Sequence, residues 1–406
     1  MKEIEQKAKS GWPGFRGLSE EDMASVLDEF ALIPSLDLDK PSSYEQQSVE
    51  TEVIIGEGRD VKFPLLLTHP LFVDACHLGR MNKSVRIALT YSALKAKIPI
   101  NICEGMLPEE KKLGDRFQNN FISQWSPLRL GIDKKTLASQ RAVVITLGDG
   151  YHVRTFPSAD LEEVIQSKGG LLTQELLNPG HHLDLETEAD LGKHVELLRE
   201  ATEYKIPIMI KIKASDVLNG TKSAIEAEAD AVIIDTSMNP FSTLSTVSGT
   251  YGASIIGAIP PAQKAFKGAN ASKEGIKLLV TGGFRSGADI VKVLAMGVDA
   301  VGIAESTAVA LGCDLCGECY KGICEKGMAT RTNELRSRFK WKNAGKKLSN
   351  YINATKKEIE FFMNFLGIND VKKLDTSHIT ALTYDAAAIS GIKLTGYDRE
   401  LPMWFH

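Results

Sequence analysis

The stretch Lys277-Leu278-Leu279-Val280-Thr281-Gly282-Gly283-Phe284-Arg285-Ser286-Gly287 reads as a strand that ends in a glycine turn and opens a helix. Its apolar run lacks the polar alternation of a half-exposed strand, so both of its faces are expected to be buried. Similar short runs recur from about residue 62: Pro64–Leu67, Pro99–Ile102, Ala142–Ile145, Gly170–Thr173, Ile208–Ile212, Ala231–Ile234 and Ala300–Ile303. Each is followed by a stretch long enough for a helix, and with Lys277–Val280 they make eight strands. Eight such units predict an α/β fold, a parallel (β/α)8 TIM barrel whose helices cover the outside while side-chain layers fill the inside. An open doubly wound sheet is the alternative, and no GxGxxG follows the first strand to support it.

With 406 residues the chain exceeds the roughly 250 usual for one such barrel, which leaves room for terminal additions. We read residues 1–60 as an N-terminal arm with one helix over Glu20–Phe30 capped by Ser19, and 61–312 as the barrel. Residues 313–330 read as a cysteine-rich segment, and 331–406 as a C-terminal helical extension. In the extension, basic Arg331–Lys347 precedes helical apolar spacing over Tyr351–Leu366, and apolar Leu401–His406 is suited to docking on the body. A net charge of -4 excludes neither enzyme nor binding module, but it argues against a nucleic-acid-binding surface. The charged start Met1-Lys2-Glu3-Ile4-Glu5 lacks a signal-peptide core, and no apolar stretch reaches the length of a membrane span. A cytoplasmic protein is expected, free or as a homo-oligomer.

Barrel chemistry sits at the C-terminal strand ends, and the residues there are polar. Asp74-Ala75-Cys76-His77 follows the first strand and Asn101-Ile102-Cys103-Glu104-Gly105 the second; Lys211 and Lys213 lie in the fifth, and Asp235 ends the sixth. Gly282 and Gly283 after strand seven, with Gly302, Ile303 and Ala304 after strand eight, suit a phosphate: glycines let amides approach an anion and helix N-termini favour it. Two ordinary glycine turns are the plainer reading. Lys211 within an apolar run needs an anion or a polarised carbonyl, unless its head simply reaches solvent. Glu104 suits a substrate amine or a proton transfer, or is a surface carboxylate; His181 and His182 suit ring contacts, or a solvated loop.

Four of the six cysteines fall in Cys313-x-x-Cys316-x-x-Cys319-x-x-x-x-Cys324. That density suits a cubane iron–sulfur cluster; zinc prefers two separated pairs, and a disulfide or free thiols are the remaining readings.

On these residues the chain resembles the FMN-binding synthase domain of the glutamate synthase family, in its archaeal-type stand-alone form, over roughly residues 50–330. The resemblance rests on Asn101–Gly105 with Leu107–Glu110, on Pro179-Gly180-His181-His182, on Pro207–Ala214, and on Gly282–Gly287 with Gly302. It implies FMN, with Lys211 at the flavin and Glu104 at the substrate amine or imine. It implies hydride delivery to 2-iminoglutarate, formed from 2-oxoglutarate and ammonia, to give glutamate. A three-iron cluster on cysteines matching Cys313, Cys319 and Cys324 is the family's pattern; Cys316 adds a fourth thiolate and favours [4Fe-4S] over [3Fe-4S]. Electrons are then expected from ferredoxin or a separate reductase, and ammonia in solution or from an amidotransferase subunit. Three loops depart from the pattern: Asp74–Met81, Leu147–Tyr151 and Thr236–Ser242. A related enzyme with another small substrate, a non-catalytic electron-transfer subunit and a zinc-bearing barrel without flavin are the alternatives.

Overall fold

The computed structural model describes residues 1–13, 25–34, 48–74, 81–102, 106–127, 129, 132–147, 153–155, 176–178, 182–237, 253–316, 319, 322–330 and 332–397. Eight strands close a barrel. They are β1 (Leu71–Val73), β2 (Ile100–Asn101), β3 (Phe121–Trp125), β4 (Ala142–Thr146), β5 (Ile208–Lys213), β6 (Ala231–Asp235), β7 (Lys277–Gly282) and β8 (Ala300–Ile303). Every neighbouring pair is parallel, and β8 closes on β1 through Val301↔Leu71, Gly302↔Phe72 and Ile303↔Val73. The eight-unit barrel stands, with two changes of membership.

Leu65–Leu67 is a strand, yet it pairs antiparallel with Val53–Ile55 outside the barrel. Leu66 is 40% exposed, a face that a barrel strand does not leave open. The hairpin sits at the N-terminal strand ends, where Lys62 and Phe63 amides donate to the Tyr204 and Lys205 carbonyls. The true first strand lies a few residues on, at Leu71–Val73. Gly170–Thr173, expected as strand four, lies outside the described residues, and the place is filled by Phe121-Ile122-Ser123-Gln124-Trp125. Ser123 and Gln124 break the apolar run although both are buried.

The ends of the chain are built onto the barrel. Helix α1 (Lys2–Ser10), unforeseen in the sequence, packs against a long helix, Trp341–Phe365, that also packs on Lys83–Lys95 and on Gly287–Ala295. The expected apolar spacing over Tyr351–Leu366 is therefore the C-terminal part of a longer helix, with Leu366 as its C-cap. The helix expected over Glu20–Phe30 is corrected where it can be seen: Val26–Glu29 is one 3-10 turn capped by Ser25, and Phe30 opens a strand that pairs with Ile379–Ala381. Ser19 and Glu20 lie outside the described residues, as does Leu401–His406. Among the described residues no helix is long and apolar enough to cross a membrane.

Candidate active site

At the C-terminal mouth of the barrel the strand register brings Lys211 level with Thr146 and Ile233. Its Nζ lies 2.6 Å from Asp74 Oδ2, with both side chains buried. Asp74 also accepts from Thr281 Oγ1 at 2.8 Å and from Asn101 Nδ2 at 2.8 Å, and Asn101 Nδ2 reaches Gln124 Oε1 at 3.1 Å. Strands β2, β5 and β7 thus converge on the carboxylate that follows β1, and β3 joins them through Asn101. Beside it, Lys213 Nζ lies 2.6 Å from Asp235 Oδ2, whose other oxygen accepts from the Ser237 amide and hydroxyl at 3.0 and 2.5 Å. Burial alone disfavours the Lys211 ammonium, but Asp74 and Asp235 outweigh it and hold its pKa above the lysine norm. Burial likewise opposes the Asp235 carboxylate, and Lys213 and Lys211 overcome it, drawing that carboxyl well below its usual range. The mouth therefore holds two lysines and two aspartates in one neutral group. Asp74 and Gln124 are the partners that sequence reasoning did not assign; Asp74 was noted as a polar residue after the first strand and as part of a departing family loop but given no role, and Gln124 lay in the unrecognised strand.

The glycines divide by what surrounds them. A Cβ on Gly302 would meet Thr281 Oγ1 at 2.5 Å and Asp74 Cβ at 3.0 Å, so its bareness makes room for the polar cluster itself. Gly282 would meet Thr236 Oγ1 at 2.9 Å. The amide of Ala304 continues the ladder to the Gly282 carbonyl at 3.3 Å. One expectation changes: the helix opened by this loop, Gly287–Ala295, does not offer its N-terminus to a ligand. The Gly287 amide donates to Glu358 Oε2 at 2.8 Å, the Asp289 amide to the Ser286 cap at 3.2 Å, and the Arg285 amide to Asp289 at 2.9 Å. The helix after β8, Glu305–Leu311, starts at Ala304 with no side-chain cap among the described residues. A Cβ on Gly283 would come within 3.3 Å of the Glu305 carboxylate, which an anion held there must displace. A bare glycine turn, an uncapped helix start and paired lysines across one mouth fit a flavin mononucleotide.

Ala75, Cys76, His77, Glu104 and His181 lie outside the described residues. The flanks of the Glu104 loop are firmly held. Arg86 reaches Glu110 through Nε at 3.1 Å and Nη2 at 2.7 Å, and Nη2 also bonds the Ile102 carbonyl at 3.3 Å, while Glu110 accepts from the Leu107 amide at 2.8 Å. The Arg86–Glu110 pair thus pins both ends of the turn, Arg86 at Ile102 and Glu110 at Leu107, a task the sequence did not reveal. His182 is buried at the end of β4 rather than solvated.

Cys313 follows Glu305–Leu311 directly, and its amide bonds the Ala308 carbonyl at 2.9 Å. Its Sγ accepts from the Leu315 amide at 3.4 Å. Burial pushes its thiol up to about 11, and Cys324 and Cys316 are near enough to add to the shift. Cys319 is buried and Cys316 exposed. Four thiols on one segment form a donor set that fits a thiolate-held cluster, whose binding would expel the thiol protons.

The family model for the conserved region in glutamate synthase matches residues 35–369. An archaeal-type glutamate synthase [NADPH] of Thermotoga neapolitana is 28% identical over 361 residues, covering 85% of this chain and 68% of the relative. The archaeal glutamate synthase [NADPH] of Methanocaldococcus jannaschii is 28% identical over 378 residues, covering 88% and 72%. A glutamate synthase large subunit-like protein of Rhizobium meliloti is 24% identical over 426 residues, covering 98% and 93%. Among solved structures, a flavocytochrome b2 variant with pyruvate bound superposes with a TM-score of 0.55 at 16% identity, over 97% of this chain and 86% of that one. A mandelate oxidase variant with 2-hydroxy-phenylacetamide gives 0.52 at 20% identity, over 91% and 95%; these two likenesses speak for the barrel alone. With the family region running through the barrel, the polar mouth and the cysteine segment, the chain belongs to the glutamate synthase family and is an oxidoreductase of that type.

Proposed function

We propose that the protein binds FMN across the mouth of its barrel and reduces 2-iminoglutarate, formed from 2-oxoglutarate and ammonia, to glutamate. The observation that carries this reading is the buried cluster of Lys211, Asp74, Asn101 and Thr281 beside the glycine turn of β7. Bound there, FMN supplies a hydride to an electrophilic carbon. In this reading the Gly282, Gly283 and Gly302 backbone, with Ile303 and Ala304, receives the phosphate, and Ala75, Cys76 and His77 border the ring. Asp74, held by Asn101, fixes Lys211, and Asp235 fixes Lys213. Lys211, kept charged by Asp74, presents a positive group to the ring or to the substrate carbonyl side, and Glu104 holds the substrate nitrogen and its proton.

The cysteines Cys313, Cys316, Cys319 and Cys324 would hold a [4Fe-4S] cluster that accepts single electrons from ferredoxin or a separate reductase, with ammonia free or from an amidotransferase partner. Replacing Cys316 by serine is expected to lower cluster iron from four to three per chain or to lose it; an unchanged iron content and spectrum would argue against a four-thiolate site.

The pairing of both mouth lysines with aspartates favours a second reading, an imine of a small substrate carrying fewer carboxylates, because a neutral group attracts a dicarboxylate weakly. One experiment separates them. Protein purified without oxygen should show flavin and iron–sulfur absorption, and after reduction should be reoxidised by 2-oxoglutarate plus ammonium with stoichiometric glutamate. Reoxidation by another oxo acid alone transfers the assignment to that substrate; a colourless protein ends the flavin reading.

A further inference from the structure

A second polar group stands at the rim, beside β4. His182 is fully buried, and its Nε2 lies 2.9 Å from the carbonyl of Thr146, the last residue of β4. A carbonyl only accepts, so Nε2 carries the proton and the lone pair is on Nδ1. Among the described residues that Nδ1 is buried without a hydrogen-bond partner, and so is Nδ1 of His194, from the helix Glu188–Ala201. The two rings stand edge to face with centroids 5.6 Å apart, and His194 Nε2 is 3.2 Å from Asp184 Oδ2. One ligand atom from each of His182, Asp184 and His194 can be chosen so that all lie within 4.8 Å of one another. Arg129 forks onto the Asp184 carboxylate and is itself stacked 4.7 Å from the Trp125 ring centre.

We propose that His182, Asp184 and His194 bind one divalent transition-metal ion of the zinc class. Two imidazoles and a carboxylate are the donor set of a three-ligand zinc site with an open fourth position, whereas magnesium and calcium call for oxygen alone. The surroundings are those a ligand set needs. Thr146 fixes the His182 ring by its far nitrogen, as carbonyls do for metal-bound histidines, and Arg129 orients the carboxylate from outside while leaving it further lone pairs. The buried Nδ1 of His182, without a partner among the described residues, is costly, and an ion on it removes that cost. Because Thr146 is paired in register with Lys211, the ion would share the rim of the mouth described above and would tie the connection after β4 to the barrel. The site stands independently of the flavin reading.

The test uses the whole chain, prepared without oxygen, incubated with zinc alone and dialysed. Expected is a zinc ion whose absorption-edge fine structure shows only nitrogen and oxygen at about 2.0–2.1 Å. It should be lost from the His182→Gln and Asp184→Asn variants while iron content is unchanged. Asp184 is half exposed, so its variant keeps the test valid should His182→Gln fail to fold. Zinc that is not retained, or that is retained at full level by Asp184→Asn, or that is bound with sulfur in its shell and nowhere else, would overturn the proposal.

Discussion

Replacing Asp74 by alanine is expected to lower the unfolding free energy by about 3–5 kcal/mol and to empty the barrel mouth of flavin. The ammonium of Lys211 would remain buried with its nearest carboxylate gone, since Asp235 is engaged by Lys213 at 2.6 Å. Thr281 and Asn101 would lose an acceptor as well. The Lys211→Ala change should cost less, because Asp74 keeps two donors, and the double variant should recover stability relative to Asp74→Ala alone. Flavin should return in neither, so urea unfolding and flavin content read separate consequences of one pair. The sign of the pH dependence follows from the shifts. Lys211 has a raised pKa, so its contribution is complete below about pH 10.4 and fades as pH rises through the folded value. Asp235 is depressed, so its contribution holds above about pH 3.9 and fades as acid takes it through the folded value. Between about pH 5 and 9 the stability gap between wild type and Asp74→Ala should therefore be flat. Additive losses in the double variant would show that the two side chains do not act as a pair.

What could be read from the sequence follows from how each signal arises. Strands such as Ile208–Lys213 and Lys277–Gly282 are apolar because both faces are buried, and that composition is local. Phe121–Trp125 was missed for the same reason: at the mouth the inner layer turns polar, and Ser123 and Gln124 broke the run used to find strands. Lys211 announced itself as a charge in an apolar run, yet its partner lies 137 positions away in sequence, on the other side of a closed sheet. Spacing along a chain carries no record of such a meeting. The same holds for His182, Asp184 and His194, where only the first belonged to a recognised segment. The glycine turn after β7 was legible as a turn, but the blocked helix start beyond it was not, because the blocking carboxylate comes from the C-terminal extension.

That carboxylate, Glu358, leads to the second large effect: Glu358→Ala should destabilise the protein by about 3 kcal/mol and loosen the flavin turn in the same step. Its Oε2 accepts from the Gly287 amide at 2.8 Å and from Lys7 Nζ at 2.8 Å, and Lys7 is wholly buried. Lys7 also donates to the Arg285 carbonyl at 3.3 Å and to Glu3 at 2.8 Å, so the first helix reaches the turn after β7 through one ammonium. Without Glu358 the ammonium keeps only partly exposed Glu3 as its anion, and the Gly287 amide has lost its acceptor. Packing supplies an independent arm. A Cβ on Gly287 would sit 2.4 Å from Glu358 Cβ and 2.6 Å from the Ile359 amide nitrogen, which is backbone and cannot turn aside. Gly287→Ala should thus prise the long C-terminal helix away with every charge still present. Both variants should unfold at lower urea, and amide exchange over residues 281–287 should quicken in each before global unfolding does. If exchange in that turn stayed at the wild-type rate while stability fell, the terminal helices would be bracing the barrel wall without reaching the site.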